Sequence, residues 1–525
     1  MSQPLGTFRA ISPVLVRLPH LSPPLWIAAI ALTAVIAVLP GLWSLAGVVA
    51  VAGALLLFVK PELAVYLLTM SVPLGTLLME ADREEGSVAV TPTEAIIALL
   101  ILGWIARSLA RRRLVVALTP LTIPLVAMLL VVALSSFHAT NPVLALKESL
   151  KWLELAVVYL FIVAEMGTAR QILALLLMLL AGALIEALLG IGQFYLGLGP
   201  EFFAIGRFMR AYGTFDQPNP YAGYLGMLIP LGVGLLLTRP SPRIRYYALV
   251  ATGFAVAAVG MSLSRGAWLG IGLGLFSMML FWSSRSRLLL AAGTLASLPL
   301  VALAFLNILP AELSGRLATM LDYFRFVDVT QETVTSQNWA VIERVAHWQA
   351  ALDMLAAYPV FGVGAGNYPA VYEWFQVQGW DEPLGHAHNF YLNIAAETGL
   401  LGLAVYLCFV LTALISPMVW LVRSGRAQRV GSGATGDPRA PGIGASAALR
   451  VSKPRSLASS PARPTPFPDN IWRGVMVGAL GALVASSMHN MFDSLFVHSM
   501  SVQLGMILAL AQVSANALCV GRQRP

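Results

Sequence analysis

QILALLLMLLAGALIEALLG (171–190) is twenty residues long and carries one charge, Glu186. An α-helix of about 20 such residues matches the roughly 30 Å of a bilayer's hydrocarbon. Within that layer every backbone N–H and C=O needs an internal partner, which a helix supplies. Working outward, similar apolar runs recur from Leu25 to Leu518. The 525 residues are 58% hydrophobic and 11% charged, against roughly 25% charged in a soluble domain. This excludes a soluble globular protein and predicts an all-α polytopic membrane protein.

About fourteen transmembrane helices are expected. They begin near residues 25, 42, 62, 93, 120, 148, 171, 219, 246, 266, 288, 388, 471 and 498. The first run is followed at once by a second with no small-residue cleavage site, so it reads as a span and not as a signal peptide. The net charge of +8 does not point to nucleic acid. Its basic residues (Arg9 and Arg17, Lys60, Arg111 to Arg113, Arg170, Arg239 to Arg245, Arg285 and Arg287, the 423–473 stretch, Arg522) fall in turns of one side. The positive-inside rule makes that side the cytoplasm and places both termini there. Cys408 and Cys519 lie in apolar segments and read as buried thiols.

The expected organisation is an N-terminal transmembrane bundle (1–309), a large outer loop (310–387), a transmembrane helix (388–422), a linker (423–470) and a C-terminal transmembrane pair (471–525). The linker is rich in Gly, Ser, Pro and Ala, too poor in large apolar side chains to build a core, and reads as cytoplasmic and disordered. The outer loop differs. Val341, Val345, Trp348, Leu352 and Leu355 recur at 4-3-4-3 spacing, the stripe of an amphipathic helix that ends at Tyr358-Pro359. A glycine-rich turn, FGVGAGNYP (361–369), follows, so this loop is expected to be folded.

Few outer-side residues could carry chemistry. Arg207 and Arg210 precede a span, Arg265 sits where two spans meet, and Arg344 flanks the loop helix. Several arginines on the side the positive-inside rule disfavours suggest an anion site, since guanidinium binds phosphate bidentately. HAHN (386–389) opens the apolar run after the loop. His386 and His388 point to opposite faces if this start is helical and the same way if it is extended. A neutral imidazole there can act as a general base near pH 7, and His388, beside Asn389, is the preferred one. A zinc site of the H-x-H kind would need further ligands, and the outer loops offer only His347 and scattered carboxylates, so no metal is expected. Serine-elbow, Walker and H-E-x-x-H motifs are absent from the sequence. Glu154 and Glu186 inside apolar runs keep a transporter in play. The acidic stretch MEADREEG (79–86) is either a source of a carboxylate base or solvated surface.

Three stretches resemble the bacterial O-antigen ligase and O-antigen polymerase superfamily. His388-Asn389, nine residues and Gly399-Leu400-Leu401-Gly402 resemble its H-N-x9-G-x-x-G signature. RAYGTFDQPNPYAGYL (210–225) and SRGAWLG (264–270) resemble its arginine-bearing segments, and ERVAHWQAALDMLAAYPVFGVGAGNY (343–368) its loop helix. The resemblance covers about 205–410. It implies a C-type-glycosyltransferase-like helical enzyme of the bacterial inner membrane, metal-independent and inverting, without cofactors. The implied donor is an undecaprenyl-diphosphate-linked glycan in the membrane lipid, and the implied acceptor a glycan, lipid A-core or protein. By the same resemblance Arg210, Arg265 and Arg344 hold the diphosphate, His388 with Asn389 is catalytic, and His386 and Asn219 support them. The alternatives are a transporter or flippase of the lipid-linked glycan and a protein O-oligosaccharyltransferase of the same superfamily.

Overall fold

The computed structural model describes residues 42–79, 91–113, 117–205, 208–305, 329, 332–335, 338–433 and 469–520. The expected span near residue 25, Arg207, the acidic stretch beyond Met79 and linker residues 434–468 lie outside them. The chain divides into two compact units, Met1–Pro61 and Glu62–Pro525. In the first, α1 (Leu42–Val59) is an apolar helix. The second holds everything below.

Its helices follow the expected order. They are α2 (Glu62–Met79), α3 (Pro92–Ala110), α4 (Thr122–Ser136), α5 (Pro142–Glu165) and α6 (Ala169–Leu196), then α7 (Pro218–Leu237), α8 (Pro242–Ser262), α9 (Arg265–Trp282) and α10 (Ser284–Phe305). After these come α11 (Trp339–Ala357), the short α12 (Tyr368–Val371), α13 (Phe390–Gly433), α14 (Asp469–His489) and α15 (Met500–Val520). The strands, β1 (Ala204–Ile205) and β2 (Phe208–Met209), form one small antiparallel hairpin. Local chemistry sets several starts: Thr91 and Thr168 each close a capping box, and Asn141 caps α5 ahead of Pro142.

Among the described residues 8 helices are long and apolar enough to cross a membrane, which does not confirm the count of fourteen. Two of the differences have visible causes. Helix α4 has only 15 residues, and α5 carries Lys147, Glu148, Lys151, Glu154 and Glu165. Glu148 and Lys151 pair at 2.7 Å. Helix α13 runs past residue 422, to Gly433.

Helix α14 is the hub, packing on α7, α9 and α15. It comes close to α7 because glycines face each other. A Cβ on Gly234 would meet the Gly474 carbonyl oxygen and lie 2.9 Å from the Gly478 Cα. Gly474 and Gly478 form the small-xxx-small pair that lets membrane helices pack backbone to backbone. At the start of α14, Arg473 donates to the Phe281 and Trp282 carbonyls that end α9, both at 2.9 Å. At the equivalent end of α3, Arg107 and Arg111 reach Glu165 of α5, and Arg107 also reaches Glu62 of α2. Fully buried Trp152 of α5 joins Tyr406 and Phe409 of α13 to Phe496.

The folded part of the 310–387 loop locks onto α13. Gly399 breaks that helix with φ 70° and ψ −171°. A Cβ there would strike the Val360 carbonyl, so only glycine lets the loop approach. The exposed backbone of the break pairs with the loop: Val363 N–H donates to the Ala396 carbonyl and Leu400 N–H to Pro359. Helix α11 forms where the apolar stripe predicts, but its phase differs. Val345 and Trp348 are buried, whereas Leu352 is exposed and Ile342, Ala351 and Met354 take the inner face. Trp348 contributes most to the inner face of the expected stripe, and the small alanines, which carry little weight in a hydrophobic pattern, set the rest.

Candidate active site

The loop before α7 folds back so that Ala211 N–H bonds the Met261 carbonyl at the end of α8. This brings Arg210 to the same place: its Nε donates to the Ser262 carbonyl at 2.7 Å and its Nη2 to Asn219 Oδ1 at 3.0 Å. Leu263, with φ 55°, ends α8 in the left-handed conformation. Two residues later Arg265 opens α9. Arg344 reaches in from α11, donating from Nε to the Phe492 carbonyl at 3.2 Å and from Nη1 to the Ala340 carbonyl at 2.6 Å. Arg210, Asn219, Arg265 and Arg344 line one cavity of about 140 Å³, together with His489 and Asp493. Four expected site residues therefore meet, although they come from elements up to 134 residues apart in sequence (Arg210 to Arg344).

The expected histidines lie beside this cavity, not on its wall. Residues 386–389 precede α13 and are not helical, so His386 and His388 point the same way, toward Asp493. His386 Nε2 is 3.6 Å and His388 Nδ1 3.5 Å from Asp493 Oδ1. His388 has φ 50°, and its backbone N–H donates to His386 Nδ1 at 3.0 Å. That bond requires His386 Nδ1 to be bare, so His386 Nε2 carries the ring proton and faces the carboxylate. If His388 presents Nδ1–H to the same oxygen, its Nε2 is left as the basic nitrogen. Both His388 ring nitrogens and Asp493 Oδ2 are buried without a hydrogen-bond partner among the described residues. An acceptor can reach Nε2 only if the ring turns or its cover shifts. Asn389 serves the helix instead, since its Oδ1 accepts from Tyr391 and Leu392 N–H and starts α13.

His347 completes the cluster behind His388. It is 1% exposed, stacks on Tyr372, meets the His388 ring edge-on at 5.6 Å and bonds Tyr368 through Nδ1 at 2.9 Å. Burial, reinforced by neighbouring His388, lowers His347 and His386 to about 3 each, so both are neutral at pH 7. For Asp493 burial acts to raise the value. The neighbouring imidazoles, His388 first and then His386 and His489, outweigh it and hold the carboxyl well below its usual range.

His386, His388 and Asp493 place their ligand atoms within 4.8 Å of one another, the spacing of a possible metal site. The fold thus supplies a third ligand that the H-x-H spacing lacked. Coordination through His386 Nε2 would require moving its proton to Nδ1 and breaking the bond from His388 N–H.

Sequence reasoning missed Asp493 and His489. Both flank the turn between α14 and α15. Asn490 accepts Phe390 N–H at 2.8 Å through its carbonyl and Leu495 N–H at 2.8 Å through Oδ1, and so ties this turn to the start of α13. A signal was present: His489-Asn490 repeats the pair His388-Asn389, and Asp493 is the one carboxylate between Ile471 and Pro525.

A model of the family described as O-antigen ligase matches residues 248–407. That segment contains Arg265, Arg344, His386, His388 and Asn389, and lies between Arg210 and Asp493. A comparison with curated proteins found no match.

Proposed function

We propose, on the match of residues 248–407 to the O-antigen ligase family, that the chain transfers a glycan from undecaprenyl diphosphate to an acceptor hydroxyl. The step is metal-independent and inverting, on the periplasmic face of the bacterial inner membrane. One observation carries this reading: Arg210, Arg265 and Arg344 converge on a single cavity whose wall includes Asp493, the carboxylate that faces His388. The side assigned is supported by the opposite helix ends, where Arg107, Arg111 and Arg473 gather as cytoplasmic anchors would.

In this reaction His388 Nε2 takes the proton of the acceptor hydroxyl while the acceptor oxygen attacks the anomeric carbon. The bond from that carbon to the diphosphate oxygen breaks, and the leaving diphosphate keeps the electron pair. Arginine forks stabilise the charge as it develops, the role a divalent ion plays elsewhere. Asp493 orients His388 and stabilises the imidazolium that forms, as a carboxylate does behind a catalytic histidine. Asn219 holds Arg210 in place. His386 holds the backbone of His388 in its left-handed turn.

The test is purified protein in nanodiscs with an undecaprenyl-diphosphate glycan and a panel of hydroxyl acceptors, with and without EDTA. Product should form equally in both and disappear in His388→Ala. Transfer that survives in His388→Ala, or that EDTA abolishes, would overturn the mechanism. Movement of donor across the bilayer without transfer would favour a flippase.

A further inference from the structure

Helix α6 ends at Gly197, left-handed with φ 65°, and the chain then makes a short turn and the β1–β2 hairpin. The hairpin is anchored. Phe203 is buried against Tyr212 with ring centroids 5.2 Å apart, Met209 is buried, and Phe208 stacks flat on Phe194 of α6 at 5.4 Å. Large apolar side chains are nevertheless open there: Phe202 is 82% exposed, and Ile205 and Phe208 are also exposed, with Glu201 the exposed charge beside them.

This patch continues a membrane surface. Ile185, Leu188, Leu189, Tyr195 and Leu196 are exposed along α6, at spacings that keep them on one face of a helix apolar enough to span a bilayer. The row then runs off the end of α6 through Leu198 to Phe202, Ile205 and Phe208. From Gln171 to Pro200 the chain carries one charge, Glu186, and that is buried. Aromatic side chains at the end of a spanning helix suit the bilayer–water interface. A row of this kind, continuing the exposed apolar face of α6 and interrupted by exposed Glu201, fits the lipid of the same leaflet with that carboxylate at headgroup level. Ile205 also lines the arginine cavity.

We propose that Phe202, Ile205 and Phe208 are inserted into the bilayer surface, with Ile205 marking the side on which the arginine cavity opens to lipid. The insertion stands on the surface alone. The opening rests on the proposed function, since it gives a polyprenyl donor a lateral path by which its diphosphate reaches Arg210 while its chain stays in hydrocarbon.

The test uses the full chain in proteoliposomes with Cys408→Ser and Cys519→Ser, and a nitroxide attached at Phe202→Cys. Leu188→Cys serves as the lipid-facing control and Asp381→Cys, in an exposed loop, as the aqueous one. Insertion predicts that oxygen relaxes the Phe202 label more than a water-soluble nickel chelate does, as at Leu188 and opposite to Asp381. A label that behaves as at Asp381, or one shielded from both relaxants by a protein partner, overturns the proposal. The second arm measures transfer by Phe202→Asp/Ile205→Asp, with thermal stability as the control for folding. The KM for a long-chain polyprenyl donor should rise several-fold, with little change for a donor carrying two isoprene units. Equal effects on both donors would refute the lateral path. Wild-type protein that transfers nothing would refute the proposed function and leave the label result standing.

Discussion

Asp493 Oδ1 faces two imidazoles at once, and this shared contact separates the roles of nearby side chains. His388→Ala should lower transfer roughly 10²–10⁴-fold, the usual worth of a positioned general base. Asp493→Asn should lose roughly as much, because an amide cannot stabilise the imidazolium and offers His388 the wrong hydrogen-bond partner. His386→Ala should fall between these and wild type, since it removes the acceptor of His388 N–H but leaves the base. Initial rates at saturating donor check all three, and equal mild losses would contradict the assignment. For the arginines, Arg210→Lys and Arg265→Lys should reduce transfer by about 10–100-fold at unchanged thermal stability, the worth of one or two charge-assisted hydrogen bonds. Lysine keeps the charge and loses the planar fork. Wild-type rates in both variants would make these residues anchors of the fold.

At the scale of elements, the break in α13 positions the site. Gly399 allows the glycine-rich loop to dock, and the same docking fixes the angle at which α13 presents its first turn to the Asn490 turn. Gly399→Ala adopts a strained backbone and adds a methyl against the Val360 carbonyl, so it should cost about 1–3 kcal/mol. The Tm in detergent should drop, and activity should fall further than the loss of folded protein explains. Glycines that face open space, such as Gly192, should tolerate alanine without change in Tm. A Gly399→Ala protein as stable as wild type would mean that the loop can dock without this contact.

Over the whole molecule, burial of neutral histidines ties stability to pH. His386 and His347 are held at about 3, against about 6.5 for a free imidazole. Between these values the unfolded chain binds more protons than the folded one, so stability rises with pH and is lost on acidification. The Tm should be level above pH 7, fall as pH drops below about 6.5, and fall less steeply in His347→Phe. A Tm constant from pH 7 to pH 4 would contradict this. Topology is a second property of the whole: reporter fusions after residue 350 should read as periplasmic and fusions near residue 445 as cytoplasmic. The reverse would move the cavity to the side where the proposed donor's diphosphate is not available.

The sequence by itself determined the class of fold, the order of the helices and most of the residues from which the proposed site is drawn. A bilayer imposes a length and an apolarity on each span that can be measured along the chain, and arginine on the outer side stands out against that background. It also located α11 and the His388 segment to within a few residues. Tertiary structure alone decided which of these residues meet. Arg344 and Arg210 share a cavity only because α11 packs on α13 and carries Arg344 to the Phe492 carbonyl, and the two histidines point together only because residues 386–389 stay non-helical, with His388 in a left-handed turn before α13. Asp493 was legible as a lone carboxylate in an apolar stretch, yet its partnership with His388 depends on contacts between distant segments, Phe390 N–H to the Asn490 carbonyl and Tyr391 O–H to the Ser487 carbonyl. Periodicity reports which face of one helix is buried. It carries no record of which helix lies against that face, and a site assembled from the ends of several helices is fixed by those contacts.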